Sequence, residues 1–132
     1  MTRYTLRTTV SSAFAPTLER VRAVLADVGF GVITEIDLAA TLKTKLDVDV
    51  PPHVILGACR PGLAHEALLA DPSIAAVLPC NVVVRSVDEG ACVVEAFDPA
   101  VMADLAGDAL HAVAADARER LRTLLDTLDQ ED

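Results

Sequence analysis

Two apolar runs separated by a short polar turn constrain the fold of this chain more than any other feature. The first run opens at Pro79-Cys80 and continues through Val82, Val83 and Val84, and the second extends over residues 92–97. Asp88-Glu89-Gly90 between them is typical of a tight turn. The pattern predicts a β-hairpin, and more strands must join it because an isolated hairpin is only marginally stable in water.

The segment before this hairpin predicts a strand followed by a helix. Tyr4, Leu6 and Thr8 alternate with polar residues, which is typical of a short strand. Beyond them, apolar residues recur at steps of three and four, as on one face of an amphipathic helix that ends at Gly29. The residues of this stripe are Phe14, Leu18, Val21, Leu25 and Val28.

Two further strand and helix pairs are predicted in the middle of the chain. Residues 32–36 form the second strand, and Asp37 is placed to cap a short helix that carries Leu38, Leu42 and Leu46. Residues 53–56 form the third strand, which the chain leaves at Gly57. Pro61 fits the first turn of a helix that runs to about residue 70.

The C-terminal part predicts one long helix and completes a single domain over residues 1–132. Asp98-Pro99 is a typical helix start, Gly107 interrupts the helix, and a stripe of Leu, Val and Ala continues to Leu128. The expected fold is α+β: a two-layer sandwich with a mixed, mostly antiparallel sheet of about five strands and helices mainly on one face. The helical connections could supply the parallel neighbours. The second face of such a sheet needs cover, so we expect self-association; a simply polar face is the alternative.

The charge and the cysteine content limit which partners and which compartment are compatible with the sequence. The net charge of -9 disfavours binding to nucleic acid and to anionic membranes, because both are negatively charged. Three cysteines are an uneven number, and too few, for a small domain that disulfide bonds stabilise. The N-terminus lacks the apolar run of a signal peptide, and no stretch approaches a membrane span, so we expect a cytoplasmic protein.

Several short motifs resemble a known family. Glu-Ile-Asp at positions 35–37, Gly-Ala-Cys-Arg-Pro at 57–61 and Leu-Pro-Cys-Asn-Val at 78–82 occur in the order and spacing of domain of unknown function 302. Arg60 stands where asparagine is common in the family. The resemblance implies a compact α+β domain that pairs as a homodimer, and it supplies no catalytic residue.

Cys59 is the most prominent candidate for chemistry. It precedes a helix that Pro61 helps to start, and a helix N-terminus favours the thiolate form of cysteine. Arg60 adds positive charge beside it, and Cys80 approaches Cys59 if their strands adjoin. Such a pair suits a redox couple, a ligand set for a soft metal, or a nucleophile with a neighbour. The alternative is that both cysteines pack as small hydrophobic residues, and no metal site is assigned.

Three further side chains are candidates with simpler alternatives. His65, one turn into the same helix, is a possible base or ligand, or else a polar residue on a helix face. Glu35 and Asp37 have the spacing of two residues that places side chains on one side of a strand, as for an acid and base pair or an oxygen-ligand site. The capping role of Asp37 already accounts for that residue.

The expected function follows from these candidates and from what is missing. No P-loop, nucleophile elbow or zinc-protease motif occurs in the sequence, and no cofactor can be named. The leading hypothesis is a non-enzymatic homodimeric binding or accessory domain that takes a small ligand near Cys59 and Cys80. The alternative is a thiol-dependent redox protein or enzyme with Cys59 as the reactive thiol, Cys80 as its resolving partner and His65 as the base. A third possibility is a structural subunit that contacts its partner through the terminal helix.

Overall fold

A computed structural model describes residues 4–130 of the chain. The five strands are β1 (Thr5–Val10), β2 (Gly31–Asp37), β3 (His53–Cys59), β4 (Cys80–Asp88) and β5 (Ala91–Phe97). The helices are α1 (Phe14–Asp27), α2 (Leu38–Leu46), α3 (Pro61–Ala70), α4 (Ala100–Ala106) and α5 (His111–Gln130). Short 3-10 turns at Pro72–Val77 and Asp108–Leu110 precede β4 and α5.

The strands form one sheet in the order β1-β5-β4-β3-β2, and every neighbouring pair of these strands is antiparallel. The α+β class, the five strands and the central hairpin are therefore confirmed. The prediction that helical connections supply parallel neighbouring strands was wrong. Ala58 and Cys80 are directly opposite each other, so the connection through α3 returns the chain to the end of the sheet that it left, and β4 must run back along β3.

Helices α1 and α5 cover one face of the sheet. Their apolar stripes are buried as predicted: Val21 and Leu25 of α1 and Leu121 of α5 are fully inaccessible and belong to the same core as strand residues such as Leu56 and Val84. Because the leucine stripe of α5 faces the sheet, it is not available to a partner subunit. The terminal helix is therefore not the contact surface that a purely structural role required.

Two glycines matter for the path of the chain. Gly29 follows α1 with a φ of +92°, a left-handed conformation that side chains disfavour, and it ends that helix as predicted. Gly57 lies inside β3, where a Cβ would overlap Thr34 and stand 2.9 Å from Pro79. The strand continues past Gly57 to Cys59 because this missing side chain lets two neighbouring segments close over it.

The segment formed by β2 and α2 is the least buried part of the sheet's surroundings. β2 is an edge strand, and α2 has no buried residue, although Asp37 caps it as predicted with a hydrogen bond from Ala40 N (2.9 Å). Leu46 at its end is 66% exposed. None of the helices within residues 4–130 combines the length and the apolar content that a membrane crossing requires.

Candidate functional site

Cys59 and Cys80 lie side by side at one end of the sheet. Cys59 ends β3 and Cys80 begins β4, and the residue opposite Cys80 is Ala58. One step along the strand from an antiparallel partner puts the two Cα atoms about 6 Å apart. The structure thus brings the two cysteines that the sequence singled out to the same end of the sheet, within the Cα separation that a disulfide spans. Cys80 shares its sheet face with Ala58, so the side chain of Cys59, the next residue of β3, starts from the opposite face.

Both thiols line a small apolar cavity between the sheet, α3 and α5, which we term the thiol cavity. Its volume of about 30 Å³ is enough for one or two water molecules and too small for a whole metabolite. Its half-buried rim includes Cys59, Arg60, Leu78 and Pro79. Its apolar wall includes Phe30, Ala58, Leu63, Ala64, Ala67, Met102, Val113 and Ala117.

The two thiols differ in exposure. Cys80 is 6% exposed, whereas Cys59 is half-buried at the rim of the cavity. Burial, and secondarily the charge of Cys59, raises the pKa of Cys80 to about 11. Cys80 therefore remains a protonated thiol at neutral pH, and only Cys59 is placed to react first. Cys92 is fully buried within β5, in keeping with the packing role that cysteine often has.

Arg60 contacts a carboxylate on α5. Its Nη1 lies 3.3 Å from Asp116 Oδ2, and Asp116 Oδ1 also accepts a hydrogen bond of 3.0 Å from Arg120 Nε. Arg120 in turn donates to the carbonyl of Val28 at the end of α1 (3.0 Å). The positive charge predicted beside Cys59 is thus partly compensated, and Arg60 connects the start of α3 to α5.

His65 is not brought to the thiol cavity. The cavity is lined by Leu63, Ala64 and Ala67 of α3, whereas His65 is exposed on the same helix. Successive residues of a helix point about 100° apart, so the face that carries these three side chains excludes His65. The structure gives His65 no position from which it would serve Cys59 as a base.

Glu35 and Asp37 also lie away from the thiols. Both are exposed; Glu35 pairs with Arg22, and Asp37 caps α2. The residue of β2 opposite Cys59 is Gly31, and four residues of strand place Glu35 about 13 Å beyond it. The six predicted site residues therefore form at least two separate groups. Within the described residues, no cluster of three or more His, Cys, Asp or Glu side chains could hold a metal ion.

The structure also shows a polar hollow that the sequence did not predict. It lies on the uncovered face of the sheet, has a volume of about 300 Å³, and is termed here the open-face groove. Among its lining residues, Glu95 accepts hydrogen bonds from Thr5 Oγ1 (2.7 Å) and Arg85 Nη2 (3.3 Å). The residues that line it are Tyr4, Thr5, His53, Asn81, Val83, Arg85, Glu95 and Phe97.

The electrostatics of the groove differ from those of the thiol cavity. Burial acts to raise the pKa of Glu95, but hydrogen bonds from Thr5 and Arg85 and the charges of Arg7 and Arg85 outweigh it, so the pKa is lowered. Burial, and next the charge of Arg85, lowers the pKa of His53. The signal available in the sequence was Arg85 and Glu95, the first directly after the valine run of one arm and the second inside the apolar run of the other.

Comparison with known proteins identifies relatives of the whole domain. A family model described as "Domain of unknown function DUF302" matches residues 6–128. The chain is also similar to the crystal structure of an uncharacterized conserved protein DUF302 from Bacillus stearothermophilus. The identity is 30% and the TM-score 0.85, with coverage of 95% of this chain and 98% of that chain. No curated protein matches the chain.

Proposed function

The chain belongs to the family of domain of unknown function DUF302, and from this premise we propose that it is a homodimeric binding domain whose thiol cavity takes the apolar end of a small ligand. The observation that carries the proposal is the position of Cys59 and Cys80 at one apolar cavity with a half-buried rim. His65 lies on another face of α3, and Arg60 is engaged with Asp116. These contacts favour binding over catalysis.

The size of the cavity restricts what it accepts. A volume of about 30 Å³ holds a few apolar atoms, so the rest of the ligand must lie outside, over Cys59 and Arg60. Each methylene group that enters the cavity contributes about 0.8 kcal/mol, or roughly fourfold in affinity. Affinity should therefore rise with the first carbons of an alkyl chain and level off for longer chains.

A series of straight-chain alcohols from ethanol to hexanol tests this size limit. We expect saturable shifts of the Met102 methyl resonance in NMR titrations, with affinity levelling off before hexanol. Ala117→Leu, which fills the cavity, should abolish them, whereas Ala115→Leu at an exposed site of the same helix should not. A steady rise through hexanol that Ala117→Leu leaves intact would reject the thiol cavity as the binding site.

A second candidate function, thiol redox chemistry, is favoured by the proximity of Cys59 to Cys80. Cys59 would act as the reactive thiol and Cys80 as the buried resolving thiol. Oxidation would join the two Sγ atoms and pass two electrons and the two thiol protons to glutathione disulfide, whose S–S bond breaks to give two molecules of glutathione. The protonated state of Cys80 at neutral pH fits the resolving role, in which it attacks only after Cys59 has formed a mixed disulfide.

Equilibration in glutathione buffers followed by mass spectrometry tests the redox function. The wild-type chain should yield a peptide cross-linked through Cys59 and Cys80, and Cys80→Ser should instead retain glutathione on Cys59. Cys92→Ser is the control, because Cys92 lies within the core and should leave the cross-link unchanged. Glutathione on Cys59 without any cross-link in the wild type would exclude the redox pair.

The β2–α2 segment offers the surface for the proposed homodimer. The exposed apolar side chains of β2, of the end of α2 and of the loop that follows it are termed the β2–α2 patch: Ile33, Ile36, Leu46, Val48 and Val50. Apolar patches rimmed by polar residues mark protein contacts. A second copy of the chain is the occupant that we propose, because an apolar patch is complementary to itself about a twofold axis. Two chains of charge -9 repel each other, so salt should strengthen the dimer.

Analytical ultracentrifugation of two matched leucine variants tests this surface. Leu46→Asp should shift the chain to monomer, because Leu46 is 66% exposed within the β2–α2 patch. Leu105→Asp should remain dimeric, since Leu105 is equally exposed (70%) but lies on α4. A monomeric wild-type chain at high salt would end the homodimer proposal.

The three free cysteines, two of them buried, support the reducing cytoplasm as the compartment.

A further inference from the structure

The open-face groove has the composition of a ligand site that is independent of the thiols. Cys80 and Asn81 are successive residues of β4, and their side chains point to opposite faces of the sheet. The thiol cavity and the groove therefore lie on opposite sides of one strand, and no single small ligand fills both. The groove's volume of about 300 Å³ lies at the lower end of the range for small-molecule sites.

The polar lining of the groove is rich in hydrogen-bond donors. Arg85 carries five N–H groups, of which the contact with Glu95 uses one. The Asn81 amide, the imidazole of His53 and the Tyr4 hydroxyl add donors around the same hollow. The oxygens of Glu95 already accept from Thr5 and Arg85. The guanidinium of Arg85 offers donors only, so the atom that an occupant places on Arg85 must be an acceptor.

The charges around the groove favour a ligand that carries a single negative charge. Arg85 lines the groove and Arg7 stands opposite Glu95 across the strand pair. Two arginines against one glutamate leave a local excess of positive charge on a chain of net charge -9. Glu95 lies close enough to repel a doubly charged phosphate more strongly than a singly charged carboxylate.

The apolar lining selects the rest of the ligand. Phe97 and Val83 are half-buried beside Arg85, and they form an apolar wall next to the donors. A guanidinium binds a carboxylate through two parallel hydrogen bonds. We propose that the open-face groove binds a small monocarboxylate, with its carboxylate on Arg85 and Asn81 and its apolar body against Phe97 and Val83.

Calorimetric and NMR titrations with benzoate test this site on the full chain. We expect saturable binding with a Kd of about 1 mM or tighter, and shifts of the Arg85 Nε and Asn81 amide resonances. Benzyl alcohol, which lacks the charge, and inorganic phosphate, which lacks the apolar body, should bind at least about tenfold more weakly. Binding of either probe as tightly as benzoate would overturn the assigned ligand class, and no saturable binding of benzoate would overturn the site.

Two matched arginines provide the variant and its control. Arg85 and Arg22 are each 31% exposed and each pairs with glutamate, Arg85 with Glu95 and Arg22 with Glu19 and Glu35, but Arg22 lies on α1 outside the groove. Arg85→Met should weaken benzoate binding about tenfold or more, and Arg22→Met less than about twofold. Equal losses in both variants would overturn the proposal. If Arg85→Met does not fold, Arg85→Lys keeps the charge but loses the two-pronged contact, and it should still weaken binding several-fold.

Discussion

The thiol cavity and the open-face groove show how one strand forms the wall of two different environments. Cys80 faces a cavity of about 30 Å³ with an almost entirely apolar wall. Asn81, the next residue, faces a groove about ten times larger that contains Arg85, Glu95 and His53. In the cavity, burial keeps the Cys80 thiol protonated. In the groove, hydrogen bonds and positive charge keep the Glu95 carboxylate ionised. The surroundings on each face, rather than the strand itself, decide the chemistry.

The largest predicted difference between the two hollows is in how much the phenylalanine that lines each one contributes to the free energy of unfolding. Phe30 is 4% exposed and lines the thiol cavity, whereas Phe97 is half-buried and lines the groove. Phe30→Ala should lower the free energy of unfolding by about 3–5 kcal/mol, because it removes a buried ring and enlarges an apolar cavity. Phe97→Ala should lower it by about 1–2 kcal/mol, because water already reaches part of that ring, although the rest packs against the buried cluster of Ala67, Ile74, Met102 and Leu110. Urea denaturation of both variants measures the difference, and equal losses would contradict it.

The second prediction concerns alkaline pH and the thiol cavity. The pKa of Cys80 is raised from 9.0 to about 11, so the unfolded chain releases this proton at a lower pH than the folded chain. The stability associated with the protonated thiol is complete below pH 9.0 and is lost as the pH rises to about 11. The loss amounts to about 2–3 kcal/mol.

Denaturation curves between these two pH values measure the loss. Cys80→Ala should flatten the fall in stability, and Cys92→Ala should retain the contribution from Cys80. A wild-type chain whose decline is no steeper than that of Cys80→Ala would show that the cavity does not hold this thiol protonated.

The third and smallest predicted effect is a loss of folding stability at acid pH that arises from two groups of the groove. The pKa of His53 is lowered from 6.5 and that of Glu95 from 4.5, so the unfolded chain takes up both protons at a higher pH than the folded chain does. Stability from both groups is therefore lost as the pH falls, first below 6.5 for His53 and then below 4.5 for Glu95. We expect His53→Gln to remove the first loss and Glu95→Gln the second, each measured by urea denaturation in steps of pH. A first loss that survives in His53→Gln would assign it to another group.

Local patterns predicted most of the fold. The alternation and the turn around residues 82–97 gave the hairpin, and the stripes of α1 and α5 gave the covered face. The family motifs at 35–37, 57–61 and 78–82 predicted the relationship that the comparisons then showed. Strand direction was not predictable, because a short helical connection can return the chain to either end of a sheet, and only the pairing of β3 with β4 decides which.

The candidate site was predicted only in part, for two physical reasons. The position of His65 depends on which side of α3 is buried, and that helix is apolar nearly all round (Pro-Gly-Leu-Ala-His-Glu-Ala-Leu-Leu-Ala), so its sequence gives little indication. The open-face groove joins Thr5, His53, Arg85 and Glu95 from four strands. Arg85 and Glu95 belong to one hairpin, but no tight turn joins the strands of Thr5 and His53 to it, so no local turn fixes their register against it.

The pairing of the first strand with the last has a consequence for how the chain reaches its native state. Thr5 and Glu95, which share a hydrogen bond, are 90 positions apart, so β1 has no partner until β5 has been synthesised. Closing so long a loop is entropically unfavourable and slows folding, as in other domains of high contact order. A nascent chain of this protein cannot complete its sheet on the ribosome until translation has passed Phe97, the last residue of β5.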